Sequence, residues 1–241
     1  MQPLRIRCRP GAFVWYDRWM PFDGILSHAW MLDQFGADFY LLPTLTRVTP
    51  DAELIDMQLP LARRGAEPQR YWAASWCDVE TATLHVTPSA WVRGAYFRDA
   101  GEYYGQDGPV RKKDASIHTE KGPDKLYNVP LHVRVVDELA WYAYGDAGEI
   151  RRLLARLPHV GKKCASGWGP LLAYPDGRLW QVEAWPEDWS ERGPDGELMR
   201  GVPACIDYFE ADGVDASRMQ VYGYRPPYFV AANQALVEMP A

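Results

Sequence analysis

A glycine-rich stretch at residues 157–169 carries residue types that are suited to holding an anionic ligand. Glycine lets the backbone approach a ligand closely, and the amide N–H groups of such a loop can hold phosphate oxygens. The two lysines would add positive charge, and the tryptophan offers a face on which a base can stack. The same pattern also fits a tight connection between a helix and a strand with solvated lysines. The residues concerned are Gly161, Lys162, Lys163, Ser166, Gly167, Trp168 and Gly169.

Cysteine usage and the absence of metal-ligand spacing exclude several other kinds of site. The four cysteines are scattered and form no C-x-x-C pair, so we expect reduced thiols rather than disulfides or a zinc site. Asp23 and His28 alone are too few to bind a metal ion. Neither a Walker loop nor a Rossmann fingerprint occurs. The sequence therefore predicts no metal and no cofactor.

The elements that would position the glycine-rich stretch follow from hydrophobic periodicity and capping signals. Alternating apolar and basic residues begin the chain, Asp23 is a suitable N-cap, and Gly36 is a suitable helix stop. This order is that of a split βαβ or ferredoxin-like unit, an α+β fold. The expected elements are a strand at 3–9, a helix at about 24–35, strands within 131–144, a helix at 149–157, and strands at 171–174 and 179–185.

Residues 43–125 differ from the rest of the chain. They hold seven prolines and several glycine-containing clusters, with short strand-like runs but no helical periodicity. We interpret them as a long insertion of β-hairpin character, with residues 111–125 as an exposed loop. The chain is then one domain, with a core at about 1–42 and 126–241.

The net charge of −6 counts against general binding of nucleic acid, but the charge is unevenly distributed. Residues 183–215 hold ten acidic residues and two arginines, so this segment is −8 and the remainder of the chain is +2. Residues 151–163 hold five basic residues and no acidic one. A basic face opposite an acidic flank is therefore possible.

No apolar run approaches the roughly 20 residues that a membrane-spanning helix needs, and no apolar segment follows the basic N-terminus. These features predict a soluble, cytoplasmic protein without a membrane partner.

Three motifs together resemble one known family. Residues 157–169 resemble the glycine-rich loop of the RAMP proteins of CRISPR systems, in which basic residues and then glycine–aromatic–glycine precede a strand. Residues 22–26, FDGIL, resemble the LDGLL that opens the first helix of several such subunits. Residues 223–228, GYRPPY, are similar to the C-terminal end of the type IV subunit that binds the 5′ handle of the guide RNA (crRNA).

The resemblance implies a ferredoxin-like (RRM-related) core with an inserted β-hairpin "thumb" at about 43–125. It implies a non-catalytic subunit that holds the crRNA 5′ handle, with the backbone and large subunits of a type IV effector complex as partners and target DNA reached through the complex. Each candidate RNA contact is also compatible with an ordinary surface charge or core aromatic. The candidates are Arg63, Arg64, Arg70, Arg93, Arg98, Lys112, Lys113, Lys121 and Arg225 for phosphates, and Tyr71, Trp72 and Tyr103 for stacking.

Two alternative functions stay open. Guide-processing endoribonucleases of the same superfamily use metal-independent acid–base chemistry, often with a histidine, and His118 and His28 are weak candidates for that role. A carbohydrate- or small-ligand-binding module would also suit the abundance of Trp and Tyr. Three tryptophans near the acidic segment fit either a contact with a neighbouring subunit or the core: Trp180, Trp185 and Trp189.

Overall fold

The computed structural model describes residues 1–15, 18–36, 38, 56–79, 82, 85–93, 127–164, 167–204 and 216–241. The helices in this part of the chain are α1 (Phe22–Phe35) and α2 (Ala147–Leu154), with 3-10 turns at Ala216–Arg218 and Ala231–Asn233. The strands are β1 (Gln2–Pro10), β2 (Phe13–Val14), β3 (Trp19–Pro21), β4 (Arg63–Arg64), β5 (Tyr71–Trp72), β6 (Trp76–Asp78), β7 (His85–Arg93), β8 (Tyr127–Val135), β9 (Leu139–Gly145), β10 (Leu171–Leu172), β11 (Trp180–Ala184), β12 (Val202–Pro203), β13 (Met219–Gly223) and β14 (Gln234–Glu238).

Strand β1 is the centre of the main sheet, and its alternating sequence explains its placement. It pairs antiparallel with β9 on one side and β11 on the other, with Ile6 opposite both Trp141 and Val182. The apolar residues of β1 are buried, whereas Arg5 and Arg7 lie on the other face. The period-2 pattern thus gives the sheet one apolar and one polar face, and the strand predicted at 3–9 is confirmed.

Both helices contribute to the hydrophobic core on the apolar face of this sheet. Phe22 and Leu26 of α1 and Leu153 of α2 are fully buried in the same cluster as Ile6 and Trp141. The Trp141 indole N–H donates to the Met20 carbonyl at 2.9 Å, which satisfies its buried donor. At the helix surface, Arg152 and Arg156 bind Asp33 and so join the two helices.

The start of α1 differs from the prediction, whereas its end agrees. Pro21 is the N-cap and Asp23 makes no capping hydrogen bond; instead it lies buried within the first turn. The prediction of Asp23 as N-cap was wrong because tertiary partners bind its carboxylate. At the other end, Gly36 caps the helix in the left-handed region, with φ of 57°.

Helix α2 lies two to three residues earlier than predicted. Asp146 caps it, accepting from the N–H groups of Gly148 at 2.8 Å and Glu149 at 3.0 Å. Leu157, the last residue of the predicted apolar stripe, is buried beyond the helix end. The apolar periodicity continued past the point at which the backbone leaves the helix, so the stripe alone misplaced the end.

The described part of the predicted insertion, residues 43–125, contains the strands β4, β5, β6 and β7. Strand β7 pairs antiparallel over nine residues with β8, which lies in the range predicted as core, and β2 joins the other edge of β8. Strands β4 and β5 form a short hairpin. The loop predicted at 111–125 lies outside the described residues.

Residues 60–76 run beside the C-terminal half of β9. Isolated bridges join Leu61 to Gly145 and Ala74 to Ala143. The Ser75 N–H donates to the Tyr142 carbonyl at 2.7 Å. This segment therefore continues the main sheet beyond β9 without forming one regular strand there.

The C-terminal residues form a second sheet, in which β14 lies between β12 and β13. Trp76, Tyr224 and Val237 are buried in the cluster that joins this sheet to the rest of the chain. In the described part of the acidic segment, Trp185 and Trp189 pack against Tyr142 on the polar face of the main sheet. Neither α-helix in the described ranges combines the length and apolar character needed to cross a bilayer.

Candidate functional site

The glycine-rich stretch is held to the chain that follows β1 by backbone hydrogen bonds. The Lys162 N–H donates to the Val14 carbonyl at 2.7 Å, and the Gly169 N–H donates to the Ala12 carbonyl at 2.8 Å. The Gly11 N–H donates in turn to the Pro170 carbonyl at 2.7 Å. Several amides of this stretch are thus engaged inside the protein, and the stretch is fixed at the edge of the β2–β8 pair.

Close packing accounts for two of the glycines. Gly161 and Gly169 have φ of 88° and 68°, and a Cβ on Gly169 would overlap the carbonyl of Val160. A Cβ on Gly161 would meet the Val14 carbonyl oxygen at 2.9 Å. Gly167 has φ of 84° but open space around it. These glycines therefore serve the fold of the segment, whatever else they do.

The described side chains of this segment include two lysines and one tryptophan, and Lys163 is half-buried with φ of 65°. Lys162 is exposed, and its Nζ lies 5.5 Å from the centre of the Trp15 ring. Trp168 is half-buried and packs against Val14 of β2 and against Leu131 and Val133 of β8. The structure therefore brings Lys162 and Trp168 beside β2 and the C-terminal half of β8, which we call the foot of the β7–β8 pair. Ser166 lies outside the described residues.

A second group of predicted residues converges elsewhere, in what we call the arginine pocket. This cavity has a volume of about 160 Å³. Five residues singled out as RNA contacts line it, although Arg225 is far along the chain from the other four. The lining residues are Asp56, Met57, Arg63, Arg70, Tyr71, Trp72, Arg225, Pro226, Pro227 and Asn233.

The three guanidinium groups of the arginine pocket have different partners. Arg63 binds Asp56 at 3.3 Å and lies over the Trp72 ring at 4.5 Å. Arg70 forms an ion pair with Glu67 at 3.2 Å. Arg225 donates to the side-chain oxygen of Asn233 at 2.8 Å. Of the carboxylates that the structure describes, none forms an ion pair with Arg225, so its charge is held in place by neutral acceptors.

The two aromatic residues of the pocket are mostly buried. Tyr71 is 5% exposed and Trp72 is 7% exposed. The Tyr71 hydroxyl donates to Glu191, and burial together with this carboxylate raises the pKa of the hydroxyl. Arg64, the neighbouring candidate, lies outside the pocket lining and pairs with Asp188.

Beneath the pocket lies a fully buried ionic cluster that the sequence analysis missed. Asp23 and Arg200 are both 0% exposed, and a carboxylate oxygen of Asp23 lies 3.6 Å from a guanidinium nitrogen of Arg200. The Tyr228 hydroxyl donates to the other oxygen of Asp23. Burial raises the pKa of Asp23, although the charge of Arg200 opposes that shift. Burial likewise raises the pKa of Tyr228.

Arg200 also joins the two chain segments that form the pocket. Its guanidinium donates to the carbonyls of Trp72 and Ala74 on one side and to the carbonyl of Tyr224 on the other. A signal existed in the sequence: the FDGIL and GYRPPY motifs contain Asp23 and Tyr228, which meet here. Arg200 itself carried no signal, since it lies in an acidic segment.

Of the two catalytic candidates, His28 lies in the described part of the chain and His118 lies outside it. His28 lies half-buried on α1, where burial lowers its pKa and favours the neutral imidazole at pH 7. Cys164 is a free thiol whose pKa is raised by burial. Within the described ranges, no three His, Cys, Asp or Glu side chains are placed to hold a metal ion. Arg93 lies in β7, and the remaining candidates fall outside the described residues: Arg98, Tyr103, Lys112, Lys113, His118 and Lys121.

The glycine-rich segment and the arginine pocket lie near opposite ends of β1. The Ala62 N–H beside the pocket donates to the Tyr144 carbonyl, and Tyr144 is the register partner of Pro3. The glycine-rich segment binds Ala12, nine residues further along. At about 3.3 Å per residue, nine residues of extended chain span about 30 Å. A ligand that touches both regions must therefore be extended.

Comparison with known proteins adds an independent observation. A family model described as CRISPR type IV associated protein Csf3 matches residues 19–240, which includes both regions and the buried ionic cluster. The curated proteins contain no match to the chain. Because the family model spans nearly the whole sequence, this chain belongs to the family of the CRISPR type IV associated protein Csf3.

Proposed function

We propose that this protein is a non-catalytic RNA-binding subunit of a type IV CRISPR ribonucleoprotein complex and that it holds the 5′ handle of the crRNA. Its partners are then the crRNA, the backbone and large subunits of the complex, and target DNA reached through that complex. Such a complex would act in the cytoplasm. The observation that carries the proposal is the convergence of Arg63, Arg70 and Arg225 in one pocket of a chain with net negative charge.

The gathered arginines favour the binding of phosphate groups. Two of the three guanidinium groups are paired with carboxylates, Arg63 with Asp56 and Arg70 with Glu67. The third leaves these groups with a net positive charge, which a bound polyanion would offset. Meanwhile, acidic residues near the pocket are engaged: Asp188 pairs with Arg64, and Glu191 accepts from Tyr71. This pairing reduces the repulsion that the acidic segment would exert on RNA.

We further propose that the core is ferredoxin-like and belongs to the RAMP superfamily. In support, β1 lies between two antiparallel strands, residues 60–76 continue the sheet beyond β9, and both helices pack on one face. The thumb then corresponds to the β7–β8 pair, in which β7 belongs to the predicted insertion and β8 follows it in the chain. The glycine-rich segment lies at its foot, where RNA held by the thumb would pass.

The test is a binding and cleavage assay with repeat-derived RNA that carries the 5′ handle. We expect intact RNA and an affinity that falls steeply between about 50 mM and about 200 mM salt. A Lys162→Ala/Lys163→Ala variant should bind more weakly than an Arg178→Ala/Arg192→Ala control, which loses the same charge from exposed turns. Equal affinities of the two variants would contradict a role for the glycine-rich segment.

The same assay separates the alternative functions. Cleaved RNA, lost on His28→Ala or His118→Ala substitution, would favour an endoribonuclease. No RNA binding at either salt concentration would overturn the proposed function of the isolated chain. Binding to glycans that is insensitive to salt would favour a carbohydrate-binding module.

A further inference from the structure

The arginine pocket has room for one planar ring and has guanidinium groups beside that space. Resting on the proposed function, we infer that it binds one unstacked nucleotide of the handle RNA, with the phosphate at Arg70 and Arg225 and the ring against the apolar wall. That wall contains Met57, Pro226 and Pro227. Beyond RNA binding in general, the inference says that one nucleotide is bound and that it is bound in the arginine pocket.

The volume of the pocket limits what can enter it. A cavity of about 150 Å³ accommodates a benzene molecule, and the arginine pocket measures about 160 Å³. One planar ring therefore fits, whereas two stacked bases do not. Single-stranded RNA is commonly recognised through bases that have left the stack.

The charge of the lining favours an anion beside that ring. The lining contains three guanidinium groups and one carboxylate, that of Asp56, and Glu67 pairs with Arg70 from outside the lining. Arg225 is held by neutral acceptors, Asn233 Oδ1 at 2.8 Å and the Arg70 carbonyl at 3.5 Å. No described carboxylate forms an ion pair with Arg225, and its planar guanidinium can donate two parallel hydrogen bonds to the oxygens of a phosphate. The Arg70–Glu67 pair lies at the surface and is easily exchanged, because exposed ion pairs contribute little.

The pocket is preorganised from below. Asn233 is 1% exposed, and its amide donates to the Pro227 carbonyl at 3.3 Å, which orients its oxygen toward Arg225. Arg200 acts as a positioning residue, because it binds the carbonyls of Trp72 and Tyr224 on the two opposing segments. A site whose walls are fixed before binding loses less entropy when the ligand enters.

The experiment combines a protein variant with a chemical walk along the RNA. Repeat-derived RNA is prepared with a neutral methylphosphonate at each handle linkage in turn, and with a 5′-phosphate or a 5′-hydroxyl. Binding is measured by fluorescence anisotropy for the unmodified protein, Arg225→Gln, Arg225→Lys and the exposed control Arg178→Gln. Circular dichroism checks that each variant is folded.

We expect Arg225→Gln to weaken binding about five- to twentyfold and to lower the salt slope by about 0.7. Arg225→Lys should fall between the two, and Arg178→Gln should stay within about twofold of the unmodified protein. One methylphosphonate position should weaken binding by the unmodified protein but not by Arg225→Gln. If instead only the exchange of the 5′-phosphate for a 5′-hydroxyl has this effect, the pocket binds the RNA terminus. If a methylphosphonate has it, the pocket binds that internal linkage.

Two failures are distinguishable. If Arg225→Gln binds as Arg178→Gln does, or if no position couples to Arg225, the pocket inference is wrong, and the proposed function stands provided that the Lys162→Ala/Lys163→Ala variant is impaired. If the unmodified protein does not bind the RNA, the proposed function fails and the pocket inference fails with it.

Discussion

The glycine-rich segment and the arginine pocket are built by different interactions. Backbone hydrogen bonds and close glycine contacts hold the former, so its geometry depends on what its main chain can adopt. Side-chain contacts from separate parts of the chain hold the latter, with Arg200 joining its two walls. The glycine-rich segment should therefore be destabilised when a Cβ is added to one of its glycines. The arginine pocket should be destabilised when the charge of Arg200 is removed.

The largest effect is expected from Arg200→Ala. The substitution would leave the Asp23 carboxylate without its ion-pair partner and the Trp72 and Tyr224 carbonyls without their donor. Removing one partner of a buried ion pair costs about 3–5 kcal/mol. We expect a loss of about 4 kcal/mol in the free energy of unfolding, measured by urea denaturation.

The matched control is Arg192→Ala, the other arginine in the acidic segment. Its side chain is exposed and donates to the Gly196 carbonyl, so its loss should cost about 0.5 kcal/mol or less. Similar losses for the two variants would show that the buried cluster does not hold the pocket together.

Gly169→Ala should be the next most damaging. The added Cβ would overlap the Val160 carbonyl, and alanine would be strained at φ of 68°. We expect a loss of about 3 kcal/mol in thermal or urea unfolding. Gly167→Ala adds strain at φ of 84° without any overlap, and should cost about 1 kcal/mol. Equal costs would mean that backbone conformation, rather than packing, defines the segment.

The dependence of stability on pH tests the buried cluster with a smaller signal. The pKa of Asp23 is raised in the folded protein, so the folded state binds the proton more tightly than the unfolded chain. The contribution of Asp23 to stability is then present below its ordinary pKa of about 3.9 and is lost as pH rises through the raised value. Relative to Asp23→Asn, the unmodified protein should lose stability from pH 4 upward in denaturation series. An opposite slope would indicate that Arg200 dominates the pKa.

The smallest effect is expected from Arg64→Gln. This candidate lies beside the pocket but outside its lining, and its charge is already paired with Asp188. We expect RNA affinity within about twofold of the unmodified protein and a stability loss of about 0.5 kcal/mol. A loss of affinity as large as that of Arg225→Gln would extend the binding surface beyond the pocket.

Local patterns in the sequence were sufficient to predict both helices and the strands β1, β9, β10 and β11, whereas the second sheet, β12 to β14, was not predicted. The alternation in β1, the stop at Gly36 and the apolar stripe of α2 are properties of neighbouring residues, and the structure confirms them within a few positions. Errors occurred at helix boundaries, and at the start of α1 the competing partners are distant in sequence. Asp23 resembles an N-cap by type and position, but Tyr228 and Arg200 bind its side chain.

The candidate RNA contacts likewise divide into what local residue type indicated and what distant contacts decided. Residue type and family resemblance selected Arg63, Arg70 and Arg225 individually, together with several residues that the structure places elsewhere or does not describe. Nothing local could indicate that Arg225 lies against the Arg70 carbonyl, because 155 residues separate them. Likewise, nothing local distinguished Arg200 from a solvated arginine, since its burial depends on carbonyls from three distant positions.

The amino-acid sequence by itself determined both helices and the strands of the main sheet, because these depend on short-range sterics and periodicity, and three short motifs carried the family resemblance. Only the tertiary structure decided which basic residues share a cavity and which one lies buried beneath it. It did so because convergence of like charges is unfavourable on its own and arises only where packing of the two sheets and a buried ion pair hold the chain segments together.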